Sequence, residues 1–239
     1  SYILGDLLSN FIPESGSAVG MIISSIIIAF LYIYLFKFKR LFSFSNFKTG
    51  IILISPLIIF IIGNLLDPDF LLPTTGISLI VVIIAGIAPA LFEEIMFRGI
   101  FISYFIKFFK SSKSIFGIVM ASALVFGITH LFNVFAGAPL DTTLFQFFYT
   151  FAIGILLGAV YLRTGNLWPP IIIHSLVDIS AFSSTALSKI GVIQTGLVFN
   201  ISNILFIIVS IISIVLGLYY LRSSKHDDIL ELWEEKWAN

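Results

Sequence analysis

The chain has 239 residues, 59% of them hydrophobic and 11% charged, with zero formal net charge. A soluble domain carries about twice that share of charge, and a globule of this length has too little interior to hide so much apolar surface, so lipid is the expected solvent. The absence of cysteine excludes a disulfide framework and a thiolate-based metal or redox centre, and no basic patch marks nucleic acid as a partner.

A spanning helix needs roughly 20 apolar residues. Seven such segments are predicted, at 18–36, 50–66, 77–97, 114–132, 143–162, 167–186 and 199–221. Turn signals separate them: Asp67-Pro68-Asp69, Pro73, Gly137-Ala138-Pro139, and Thr164-Gly165-Asn166 before Pro169-Pro170. Between the third and fourth, residues 98–113 space Lys107, Lys110 and Lys113 by three, the pattern of an interfacial helix whose lysines reach the headgroups. The charged tail 223–239, with Trp233, Trp237 and His226, is expected as a short surface helix or a loose end. The fold class is therefore all-α: a polytopic membrane protein of about seven helices, read as one transmembrane domain over 1–239. No cleavable signal peptide is expected.

Orientation follows the basic residues. Alternate loops hold Lys37, Lys39, Arg40 and Lys48, then Lys107, Lys110 and Lys113, then Arg163, then Arg222, Lys225 and Lys236. The other side has only Lys189 among basic residues, alongside Asp6, Glu14, Asp67, Asp69 and Asp141. The expectation is a multi-pass cell-membrane protein with its N-terminus outside and its C-terminus cytoplasmic.

Six ionisable residues remain in or beside the spans: Glu93, Glu94, Arg98, His130, His174 and Asp178. Charged and unpaired, the three carboxylates alone would cost roughly 8–10 kcal/mol on insertion scales. They are expected to face the bundle interior. Glu94 and Arg98 are four apart, as are Phe126 and His130, and His174 and Asp178, so three helices each present a polar stripe. Gly86, Ala88, Ala90, Ala121, Ala123 and Gly127 permit these helices to approach closely.

Two histidines and several carboxylates without a nucleophile suit an activated water. A carboxylate and a histidine hold the water and take its proton, while a second histidine donates to the developing oxyanion. The same donors would also suit a metal-bound water. No serine sits in a nucleophile elbow.

Glu93-Glu94-Ile95-Met96-Phe97-Arg98 fits EExxxR, Phe126-Gly127-Ile128-Thr129-His130 fits FxxxH, and His174-Ser175-Leu176-Val177-Asp178 fits HxxxN/D. In this order, across residues 77–186, they resemble the CPBP (CAAX protease and bacteriocin-processing, or Abi) intramembrane proteases, which include the type II CAAX prenyl endopeptidases. The run-up from Arg163 to Pro170 is also similar. The resemblance implies a CAAX-protease-like helical bundle with 77–186 as catalytic core. It implies Glu93 as general base, His130 polarising the water, and His174 stabilising the oxyanion with Asp178 orienting it. Glu94, Arg98 and Phe126 support these residues. Prenyl proteases usually carry Asn at the position of Asp178, and an ionised Asp would not donate a hydrogen bond. The resemblance leaves metal dependence open. Without HExxH no metal is favoured; the alternative is Zn2+ on Glu93, His130 and His174.

Implied partners are membrane lipids and a peptide or prenylated protein substrate: a CAAX-type protein, a pheromone, a bacteriocin precursor or a membrane protein tail. Two rival readings are a non-proteolytic scaffold, such as a bacteriocin-immunity or regulatory protein, and a proton-coupled transporter, the latter disfavoured by the lack of two similar halves. Counting from the nearest lysines puts Glu93 and His130 roughly 20 Å deep, whereas His174 lies near the start of its span. These depths do not meet in straight helices, so a water-filled cavity lined by irregular backbone is expected, opening on the cytoplasmic side.

Overall fold

A computed structural model describes residues 15–67, 76–109, 111–185 and 200–238. Of the charges used for orientation, Asp6, Glu14, Asp69, Lys110 and Lys189 lie outside them, as does Pro73. All regular structure among the described residues is helical. The helices are α1 (Ser15–Phe36), α2 (Phe47–Ile54), α3 (Ile58–Leu65), α4 (Gly76–Glu94), α5 (Ser103–Phe108), α6 (Ser112–Leu131), α7 (Leu140–Thr164), α8 (Trp168–Thr185), α9 (Ile201–Tyr220) and α10 (His226–Ala238).

Among the described residues, six stretches are long and apolar enough to cross a membrane: Ala18–Phe36, Phe47–Leu65, Leu79–Phe108, Lys113–Ala136, Leu140–Thr164 and Ile201–Tyr220. The seventh expected span is α8, which is helical but falls outside that group. Its polar residues, His174, Asp178 and several serines, dilute its hydropathy. The protein is thus a polytopic helical membrane protein.

The expected break after residue 97 is absent. α4 runs through a π-helical segment, Ile95–Ile102, into α5, so 79–108 is one 30-residue span. At 1.5 Å per residue it is about 45 Å long, against roughly 30 Å of hydrocarbon. Arg98 looked like the edge of a span, but it is fully buried and paired, so its charge does not end the helix.

α7 is the central helix. Residues 152–162 are buried along their whole length, with α6 and α9 packed against it. Glycines bring these helices together: a Cβ on Gly154 would stand 3.0 Å from that of Ala123 on α6. The other close pair is α4 and α8, where a Cβ on Gly86 would meet the backbone nitrogen of Ile179 at 2.6 Å.

The turn between α7 and α8 is buried rather than surface-exposed: Thr164, Asn166 and Leu167 have no accessible surface. Asn166 Nδ2 donates to Ser45 O at 2.7 Å and Asn46 Nδ2 to Thr164 O at 3.1 Å, a reciprocal clasp between this turn and the 37–46 loop. This sunken turn accounts for the mismatch in depths, since α8 starts inside the protein.

The tail is not a loose end. α10 packs on α5 and α7 and buries Ile229, Trp233 and Lys236.

Candidate functional site

Glu93 and Glu94 are consecutive on a helix, so they face about 100° apart. Glu94 is fully buried and accepts from Arg98 Nη1 at 2.7 Å and from His174 Nδ1 at 2.8 Å on the same oxygen. The Arg98 guanidinium lies 4.5 Å from the Phe126 ring centroid. A charge this deep persists only when paired; here a carboxylate and an aromatic face supply the pairing. The π-helical segment that carries Arg98 is tied across to α6 by Ser122 Oγ, which donates to Phe97 O at 2.8 Å. π-helical stretches often accompany functional sites.

The bond to Glu94 fixes the histidine. Because a carboxylate oxygen accepts, Nδ1 carries the proton, and Nε2 is turned toward Glu93 Oε2 and Asp178 Oδ2, each at 3.6 Å. These separations exceed a direct hydrogen bond. His130 is fixed in the same way: its Nδ1 lies 3.0 Å from the carbonyl oxygen of Phe126, which can only accept. In the neutral ring Nε2 therefore keeps its lone pair. The Phe126 ring stands edge-on between both imidazoles, 5.0 Å from His130 and 5.8 Å from His174.

Glu93, His130, His174 and Asp178 line one cavity of about 490 Å³. Glu94 and Arg98 stand behind it. The three stripes converge on this one cavity, whose wall is otherwise largely apolar. The expected opening side is not what the lining shows. Asn64, Asn133, Thr142 and Asn203 lie on the cavity wall, at the ends of α3 and α6 and the beginnings of α7 and α9. Those ends are opposite the basic loops, so the cavity runs away from the lysine-rich end of the bundle.

Sequence reasoning passed over several wall residues. Asn64 Nδ2 donates to Ser180 Oγ at 2.8 Å and Val177 O at 3.2 Å, tying α3 to the Asp178 turn of α8. Asn133 Nδ2 donates to Gln146 Oε1 at 2.8 Å, joining the two sides of the α6–α7 connection. Polar amides deep in apolar segments were the available signal. Zinc on Glu93, His130 and His174 remains the alternative: His174 Nε2 faces Glu93 and Asp178 while Nδ1 is held by Glu94, although no group that could hold a metal ion is found among the described residues.

Fold and cavity together define a polytopic membrane protein with a buried cluster of carboxylates and imidazoles. Residues 73–180, a little under half of the chain, match the family model described as Type II CAAX prenyl endopeptidase Rce1-like, so this stretch is similar to the CAAX proteases. The matched stretch contains all three motifs. No curated protein and no solved structure matches the chain.

Proposed function

We propose that this protein is a CAAX-type intramembrane endopeptidase that hydrolyses a peptide bond of a membrane-associated or prenylated substrate with a water activated by Glu93. The observation that carries the proposal is the placement of Glu93, His130, His174 and Asp178 on one cavity wall with His174 locked by Glu94. Glu93 takes a proton from water as the water oxygen attacks the carbonyl carbon, and His130 Nε2 orients that water. A proton on His174 Nε2 donates to the oxyanion that forms. Asp178, one helical turn along, holds the imidazole in line. As the C–N bond breaks, Glu93 returns its proton to the leaving amine.

The asymmetry of basic loops supports an N-terminus outside and a cytoplasmic C-terminus. In that orientation the cavity mouth faces outward, and the substrate reaches it from that side or laterally from lipid.

The test is cleavage of a quenched-fluorescent peptide panel, prenylated and unprenylated, by detergent-purified protein with and without a zinc chelator. Glu93→Gln is expected to lower kcat by about 10³-fold, the scale of a lost general base, while the chelator leaves the rate unchanged. Loss under chelator alone would overturn the glutamate-type reading. Cleavage that survives Glu93→Gln would remove Glu93 from the chemistry.

A further inference from the structure

The tail helix lies outside the family match, which ends at residue 180, yet its side chains hold both halves of the site from behind. Lys236, only 2% exposed, donates from Nζ to Gly165 O at 2.6 Å and to Arg40 O at 2.9 Å. Trp233 Nε1 donates to Leu162 O at 2.9 Å. The contacts to Leu162 and Gly165 satisfy carbonyls at the C-terminal end of α7 that the helix itself leaves unpaired, and the one to Arg40 ties in the 37–46 loop. Gly165 is suited to the contact twice over: its φ is +62°, and a Cβ there would stand 2.7 Å from Lys236 Cδ. Asn166 Oδ1 then accepts from Trp168 N at 2.9 Å and starts α8. His174 follows within two turns.

The other arm reaches the glutamate helix. Trp237 Nε1 donates to Ser103 O at 3.1 Å, immediately after the π-helical segment. The Ser103 hydroxyl is paired with the hydroxyl of Tyr32 at 2.7 Å. Between the two arms, the π-helical segment touches the sunken turn directly: a Cβ on Gly99 would lie 3.1 Å from Leu167 Cδ2. Gly99 adjoins Arg98, and Arg98 pairs with Glu94.

We propose that α10 is a positioning element for the Glu94–His174 pair, and that Lys236 is a positioning residue which sets His174 against Glu94 through the α7–α8 turn. Lys236 touches neither the cavity nor the reacting atoms. It fixes where α8 begins, while Trp237 fixes where the glutamate helix leaves the π-helical segment. A shift of either end is carried along a stiff helix to the 2.8 Å bond between Glu94 and His174. The inference rests on the proposed hydrolysis for its kinetic readout only.

The test uses the full-length chain with Lys236→Met, which keeps the packed stem and removes both donated hydrogen bonds. Histidine-selective 15N labelling yields signals from three residues, and a His174→Gln sample assigns the one of interest. Lys236→Met is expected to move the His174 side-chain signals, and to lower kcat by about tenfold, the scale of a sub-ångström misplacement, with KM changed less than about twofold. An unmoved His174 signal overturns the proposal, as does a moved signal with unchanged kcat, or a change in KM alone. If the wild-type protein cleaves nothing in the panel, the hydrolase reading is what fails, and the His174 signal alone decides whether the tail positions the imidazole. If Lys236→Met does not fold, Trp237→Phe removes the other donor and is read in the same way.

Discussion

The two ends of the bundle are built on opposite principles. At the end bearing the basic loops, the α7–α8 turn is sunken and dry, and its backbone carbonyls are satisfied one by one by Asn46, Trp233 and Lys236. At the other end the helix termini surround a largely apolar cavity dotted with the carboxamides of Asn64, Asn133 and Asn203 and the hydroxyl of Thr142. The dry end is held in one arrangement by these specific buried hydrogen bonds. The cavity end leaves its polar side chains scattered on an apolar wall. On the proposed reading, the rigid end sets the direction of the His174 imidazole, and the cavity end takes the substrate.

Changes on either side break or sharpen that contrast. The largest loss of stability is expected from Arg98→Met, because Glu94 would lose its guanidinium partner in a fully buried setting; about 3–5 kcal/mol follows from breaking a buried pair, read as a lowered melting temperature in detergent. Gly86→Ala comes next. Its methyl would press on the backbone of Ile179 and wedge α4 from α8, an overpacking cost of about 1–3 kcal/mol with a matching loss of activity. At the mouth, Thr142→Cys is expected to cost less than about 0.5 kcal/mol, as surface-like substitutions do. In a chain without cysteine, that single thiol reports the mouth: a membrane-impermeant maleimide added outside intact cells should label it. Labelling only after the cells are opened would reverse the proposed orientation.

The smallest effect is a dependence on pH. Burial, with the Arg40 charge nearby, lowers Lys236 from 10.5 to about 8. Between about 8 and 10.5 the undocked tail binds more protons than the docked one, so docking tightens as pH rises through that window. A neutral amine still donates to both carbonyls. Protease nicking of 223–239 should therefore slow from pH 8 to pH 10, measured against Lys236→Met, which lacks the trend.

The pattern of apolar spans and the three motifs made the cluster legible: Glu93, His130, His174 and Asp178 were all marked by being out of place in lipid, and all four line the cavity. What escaped was non-local. Arg98 read as a span boundary because its neutralising partners, a carboxylate on the previous turn and the face of Phe126 on another helix, show only in three dimensions. The tail read as a surface feature because Lys236 and Gly165 are 71 residues apart, beyond any periodicity. The direction of the cavity escaped for a related reason: a charge count locates loops, whereas the cavity follows from which helix ends splay.

The π-helical run from Ile95 to Ile102 carries a consequence for how this chain can change over generations. Such a run accommodates more residues per turn than an α-helix. Loss of one codon there would leave a smooth helix, fully hydrogen-bonded and equally at home in lipid. Because a π turn holds its extra residue by turning less per residue, such a loss would leave Glu93 and Glu94 on roughly their present face relative to Ser103. A second loss, now from regular α-helix, would turn everything upstream by roughly 100°, sweeping Glu93 off the cavity wall and Glu94 away from His174. The segment can shorten back to a plain helix, but no further.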